Sequence, residues 1–143
     1  MSLQHLRILI VEDEYLLGVS LYDSLERLGA TVVGPIGNIP DALHILAQCE
    51  VDLAVLDINL RGVAVYPVAD TLQDMRVPFL FSTGYDETSV PVRFRNHPLV
   101  RKPCEIDSLV AAIESLIGMQ PQAPGTSRQP AGGAAARDAD IQV

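Results

Sequence analysis

The chain has 143 residues, 48% of them apolar, and a formal charge of −8 from 18 acids and 10 bases. That length suits one compact domain with a single core, and the acidic balance argues against non-specific binding to nucleic acid or to an anionic membrane. No apolar run approaches the roughly 18 residues of a membrane span, no leader precedes LRILIVEDE, and Cys49 and Cys104 lack metal-site or disulfide-frame spacing, which points to a cytoplasmic protein with reduced thiols.

In chain order, short apolar runs alternate with helical stripes. Arg7–Val11 reads as a first strand. Leu17, Leu21, Leu25 and Leu28 then make one helix stripe, stopped by Gly29. A second strand is expected over Thr31–Gly34, and Pro40 opens a helix carrying Leu43 and Leu46. Leu53–Leu56 follows as a strand, then a helix from Pro67 with Val68, Leu72 and Met75. Pro78–Ser82 and the weaker Leu99–Arg101 complete the strands. Ile106, Leu109, Val110, Ile113, Leu116 and Ile117 stripe the last helix, closed by Gly118. Continuous apolar strands alternating with helices imply a parallel sheet covered on both faces. The expected fold is α/β, flavodoxin-like and doubly wound, with five strands in the order 2-1-3-4-5. The lack of GxGxxG after the first strand argues against a Rossmann half, and the lack of GxxxxGK[ST] against a P-loop.

Two segments depart from this rhythm. Between the fourth and fifth strands, GYDETSVPVRFRNHP has Pro91 and Pro98 bracketing only Val92–His97, so an atypical or shortened fourth helix is expected. From Met119 to Val143, twelve of 25 residues are Pro, Gly or Ala without apolar periodicity. Residues 119–143 therefore read as a flexible tail behind a folded unit over 1–118, too polar to build an output domain.

In an open parallel sheet, ligands bind beyond the carboxyl ends of the strands. The first strand ends there in Glu12, Asp13 and Glu14, and the third in Asp57, Ile58 and Asn59. The fourth ends in Ser82, Thr83 and Gly84, and the fifth in Arg101, Lys102 and Pro103. The second ends in Gly34-Pro35 and offers no side-chain chemistry. Nine of the ten bases are arginine, so Lys102 is the only lysine of the chain. Carboxylates crowded into one crevice repel unless a cation sits among them. All-oxygen ligands suit Mg2+, which keeps several waters and can leave a position for a phosphate oxygen. Glu14 reads more readily as a helix cap than as a ligand. His5, His44 and His97 read as surface residues, and Phe94 with Arg93 and Arg95 as either a docking patch or a packed ring among solvated arginines.

The blocks LRILIVEDE, LAVLDINLRG, FLFSTGYD and VRKP, in that order, resemble the signature of response regulator receiver domains from about Leu6 to Gly118. The resemblance implies that Asp57 is the phosphoacceptor for a phosphohistidine. It also implies that Asp13 and Asp57 ligate Mg2+ directly, with Glu12 acting through a water and Asn59 through its backbone carbonyl. Lys102 would pair with the phosphate, Thr83 would hydrogen-bond it, and Pro103 would follow Lys102 through a cis peptide. VYPVAD, PFLFSTGY and RFRNHP are similar to an alphaproteobacterial receiver subfamily with a Phe-Ala-Thr-Gly-x-Tyr motif, although Ser82 replaces Ala and Tyr85 comes one place early. Members are single-domain or general-stress receivers served by histidine kinases of the HWE or HisKA2 type, or by phosphotransfer proteins.

Leu99 stands where many receivers carry a rotating aromatic, which leaves Thr83, Tyr85 and Leu99 itself as switch candidates. The resemblance implies a stand-alone phosphorylation-dependent adaptor, shuttle or phosphate sink. It would be a monomer or weak dimer and no conventional enzyme, though it would promote its own phosphorylation and slow dephosphorylation. Two other readings remain. One is a Mg2+-dependent phosphatase or phosphotransferase with an aspartate nucleophile, disfavoured because Asp57-Ile58-Asn59 lacks the second acid of DxD. The other is a non-phosphorylated pseudoreceiver acting only as an interaction module.

Overall fold

Apolar runs with no polar alternation become strands buried on both faces. In the computed structural model, which describes residues 3–84, 90–103 and 105–118, these are β1 (Arg7–Val11), β2 (Thr31–Ile36), β3 (Leu53–Asp57), β6 (Phe79–Thr83) and β7 (Leu99–Arg101). Every residue of β3 and β6 is buried. All five pair in parallel in the order β2-β1-β3-β6-β7. This is the expected 2-1-3-4-5 order, because the strands numbered β4 (Asn59–Leu60) and β5 (Val63–Ala64) form a separate antiparallel hairpin. Sequence reading missed that hairpin.

The helices are α1 (Tyr15–Arg27), α2 (Ile39–Gln48), α3 (Tyr66–Met75) and α4 (Ile106–Gly118). Each begins within two residues of its expected start, and Gly118 is the last residue of α4 rather than a stop beyond it. The Asn38 side chain caps α2 by accepting the Asp41 N–H at 2.9 Å. Glu14 occupies the N-cap position of α1 but makes no side-chain cap bond. Its own N–H instead donates to Glu12 Oε2 at 3.1 Å.

Alternate residues along each strand enter opposite layers of core. Leu9, Val11, Ala54, Leu56, Phe79 and Phe81 pack with α2, α3 and Phe94. Ile8, Ile10, Leu53, Val55 and Leu80 pack with α1 and α4. Strand β2 runs two residues beyond the expected Gly34, through a cis Gly34–Pro35 peptide and a register shift against β1. Gly34 has φ +109°, and a Cβ there would stand 2.6 Å from the Ile10 carbonyl oxygen, so a side chain is excluded.

Where an atypical or shortened fourth helix was expected between the last two sheet strands, the described residues hold one 3-10 turn, Val92–Phe94, in agreement with that expectation. Its Phe94 is fully buried, which excludes the docking-patch reading of that ring. Phe94 stacks on Tyr66 at 5.4 Å and meets Phe79 and Phe81 edge-on. His97 is half-buried rather than a free surface residue: its ring stacks on Phe79 at 3.8 Å. Gln73 Nε2 donates to the Arg93 carbonyl at 3.0 Å and lies 3.2 Å from His97 Nε2. Arg93 forms a two-pronged pair with Asp70. Among the described residues, no helix is long and apolar enough to cross a membrane.

Candidate functional site

The parallel register brings the polar strand ends to one edge. Val11 pairs with Leu56, Asp57 with Ser82, and Thr83 with Arg101. Backbone bonds continue one residue past the strands. The Glu12 N–H donates to Ile36 O at 2.8 Å, that of Ile58 to Ser82 O at 3.1 Å, and that of Lys102 to Thr83 O at 2.8 Å. Glu12, Asp57, Thr83 and Lys102 are therefore set by sheet geometry rather than by loop conformation.

Glu12, Asp13 and Asp57 each offer a carboxylate oxygen within 4.8 Å of the others. Lys102 Nζ lies 3.0 Å from Glu12 Oε1 and 3.0 Å from Asp57 Oδ2. The second Asp57 oxygen, Oδ1, accepts the Asn59 N–H at 3.2 Å. Asp13 is paired from the other side by Arg61, Nε to Oδ2 at 3.5 Å. Thr83 is buried at the end of β6. A cleft of about 340 Å3 opens over these groups, lined by Asp13, Glu14, Asp57, Asn59, Arg61, Gly62, Gly84 and Lys102.

The electrostatics follow from burial. Asp57 is 5% exposed. Desolvation, helped by the Glu12 charge, outweighs the Lys102 hydrogen bond and pushes its carboxyl up, to about 7. Burial opposes the Lys102 ammonium, but its bonds to Glu12 and Asp57 prevail and raise its pKa. Three close carboxylates served by one lysine and one exposed arginine form an oxygen donor set that fits a hard divalent ion such as Mg2+.

Most residues singled out in the sequence meet here. Asp13, Asp57 and Lys102 line the cleft with Asn59 of β4, and Glu12 joins the carboxylate cluster with Asp13 and Asp57 without lining the cleft. Lys102–Pro103 is cis. Leu99 opens β7, 37% exposed and paired with Phe81. Tyr85, Cys104 and the segment 119–143 lie outside the described residues. Two features escaped sequence reading. Lys102, assigned by resemblance to the phosphate, is held here by both Glu12 and Asp57. Arg61 reaches across to Asp13 from the β4–β5 turn. The one cue was Gly62, a turn residue that tolerates positive φ, while an arginine before it is no hairpin signal.

Comparison with known proteins gives a consistent picture. SdrG from Sphingomonas melonis Fr1, solved in solution, is 41% identical over 82% of this chain and 99% of its own, with a TM-score of 0.71. A BeF3-activated conformation of SdrG superposes with a TM-score of 0.68 at 41% identity, over 78% of this chain and 95% of that one. The receiver domain of the PhyR response regulator from Erythrobacter litoralis is 27% identical over 84% of this chain and 97% of its own, with a TM-score of 0.72. Among curated proteins, the transcriptional regulatory protein PdtaR of Mycobacterium tuberculosis is 27% identical over 112 residues, 76% of this chain. The chain spans 55% of the length of PdtaR. Residues 8–114 match the response regulator receiver domain. With the sheet order and the acidic crevice already described, that match places the chain in the family of two-component response regulator receivers.

Proposed function

We propose that the chain accepts a phosphoryl group on Asp57 and passes between two conformations with different affinity for a protein partner. The observation that carries this reading is the Asp57 carboxylate itself. It is buried at the end of β3, with Lys102 Nζ at 3.0 Å and the oxygens of Glu12 and Asp13 within 4.8 Å.

Receiver domains interact with histidine kinases or phosphotransfer proteins, so the donor is a phosphohistidine, from a kinase of the HWE or HisKA2 type or from a phosphotransfer protein. An oxygen of Asp57 attacks phosphorus as the P–N bond breaks. The imidazole leaves with that electron pair and takes a proton from solvent. Lys102 turns from the carboxylates toward a phosphoryl oxygen, where a compact ammonium serves as a point charge. The Thr83 hydroxyl donates to another phosphoryl oxygen. Glu12, Asp13, Asp57 and the Asn59 carbonyl would hold Mg2+, which neutralises charge on the transferring group when bound.

Loss of Asp57 from the Lys102 pair gives the chain a reason to rearrange, and Thr83 and Tyr85 are the residues proposed to carry the change. Leu99 has no ring to rotate. The BeF3-activated conformation of SdrG supports a second state in a relative that is 41% identical. The receiver unit is assigned to residues 1–118, followed by a Pro/Gly/Ala-rich segment over 119–143.

The test is incubation with acetyl phosphate and Mg2+, followed by intact mass. A single phosphoryl adduct on the wild type and none on Asp57→Ala is expected. An adduct on both, or on neither, overturns the reading.

A further inference from the structure

The turn joining β4 to β5 holds Arg61 at φ +54° and Gly62 at φ +89°. Two consecutive left-handed residues match the twist of a two-residue hairpin, and Asn, Asp or Gly usually fill both places. An arginine at the first place is disfavoured by its Cβ, so its side chain invites a functional explanation. The turn is braced. The Gly62 N–H donates to Asn59 Oδ1 at 2.6 Å, and the Val65 N–H to Ile58 O at 2.9 Å. The backbone of Arg61 is thus anchored beside the cleft while its side chain, 81% exposed, is the part that can move.

That side chain reaches Asp13, which is only 13% exposed. It also lines a second, larger hollow of about 490 Å3 with Asp13, Glu14, Tyr15, Leu16 and Leu17. The charges of the crevice are therefore divided. Glu12 and Asp57 share Lys102, and Asp13 takes Arg61.

We propose that Arg61 is a displaceable counter-charge for Asp13, a positioning residue that competes with the divalent cation for this carboxylate. It holds Asp13 in place while the crevice lacks metal, and swings toward solvent when the cation takes the carboxylate. The 3.5 Å separation and the exposure of the guanidinium make the pair weak enough to be displaced. The inference rests on the reading of the crevice as a cation site.

The test is the apparent Mg2+ affinity of the full chain, taken from the rise in thermal stability with Mg2+ at constant ionic strength. Arg61→Gln is expected to tighten binding about two- to five-fold at low ionic strength, the range open to an exposed pair. Wild type and variant should converge at about 0.5 M salt, where exposed charges are screened. Arg61→Lys keeps a cation in the turn and should stay near wild type. Arg27→Gln removes an arginine about 18 Å along α1 from its crevice end and should change nothing. Equal or weaker binding by Arg61→Gln, or the same gain from Arg27→Gln, overturns the role of Arg61 alone. A wild type that Mg2+ does not stabilise overturns the cation site itself, and this inference with it.

Discussion

The two faces of the sheet are closed by different means. On one, two 13-residue helices, α1 and α4, spread the burial over aliphatic side chains such as Leu25, Leu109, Ile113 and Leu116. On the other, α2 and α3 have 10 residues each, and among the described residues a three-residue turn fills the place of the shortened fourth helix. All three phenylalanines of the chain, Phe79, Phe81 and Phe94, lie on that second face, joined by Tyr66 and His97. An aromatic ring buries about 150–250 Å2, so one ring on a short turn can close an area that a helix covers with several smaller groups. The consequence is concentration. The aliphatic face distributes its stabilisation, and the aromatic face hangs much of it on Phe94.

The largest expected effect breaks that concentration directly. Phe94→Ala should cost about 3–5 kcal/mol, measured by chemical denaturation, because the ring is fully buried among others that cannot collapse into its place. A cost below about 2 kcal/mol would mean that the turn does not hold the aromatic face.

Next comes a contrast in pH response between the crevice and the aromatic face, both measured in chelator. The raised pKa of Asp57 gives stability that is complete below its unfolded value of 3.8 and lost as pH rises through about 7. The wild type should therefore melt lower at pH 8 than at pH 5. Asp57→Asn should remove this slope and gain on the order of 1–3 kcal/mol at pH 8. A steeper or unchanged slope in the variant would contradict the burial argument.

His97 works in the opposite sense and more weakly. Burial lowers its pKa below the usual 6.5. Its contribution is complete above 6.5 and is lost as pH falls toward the folded value. Protonation would also place two donors face to face, since Gln73 Nε2 lies 3.2 Å from His97 Nε2. Amide exchange over Val92–Phe94 should quicken between pH 7 and pH 5 in the wild type, once corrected for intrinsic rates, and not in His97→Phe. Identical behaviour of the two proteins would remove His97 from the account. The smallest effect is expected for Arg93→Ala, whose pair with Asp70 is exposed on both sides and should leave the melting temperature unchanged within error.

These regions also differ in how far the amino-acid sequence announced them. The strands and helices followed from unbroken apolar runs and leucine stripes, signals summed over many residues, and the strand order from the rules for right-handed crossovers. The crevice was announced because sheet geometry turns a strand end into a position, so Glu12, Asp57, Thr83 and Lys102 could be placed together before any coordinate was known. What escaped depended on single contacts. Nothing in the sequence says that Phe94 meets Phe79 edge-on or that His97 stacks on it, since no helical or strand period links either residue to Phe79. The extension of β2 to Ile36 needed a cis Gly34–Pro35 bond and a register shift, both set by tertiary pairing with β1. The reach of Arg61 to Asp13 needed the unusual backbone of its hairpin.

Lys102 has a last consequence, for chemical labelling. Because every other base is an arginine, a lysine-directed acylating reagent meets one side-chain amine in the whole chain. The side chain is 17% exposed and its amine is held by two carboxylates and kept protonated, so it should react slowly while the pair stands. Any event that draws Asp57 away would unmask a single nucleophile at a known address. The rate of acylation at Lys102, read from peptide masses so that the N-terminal amine is told apart, then becomes a clock for the opening of the crevice.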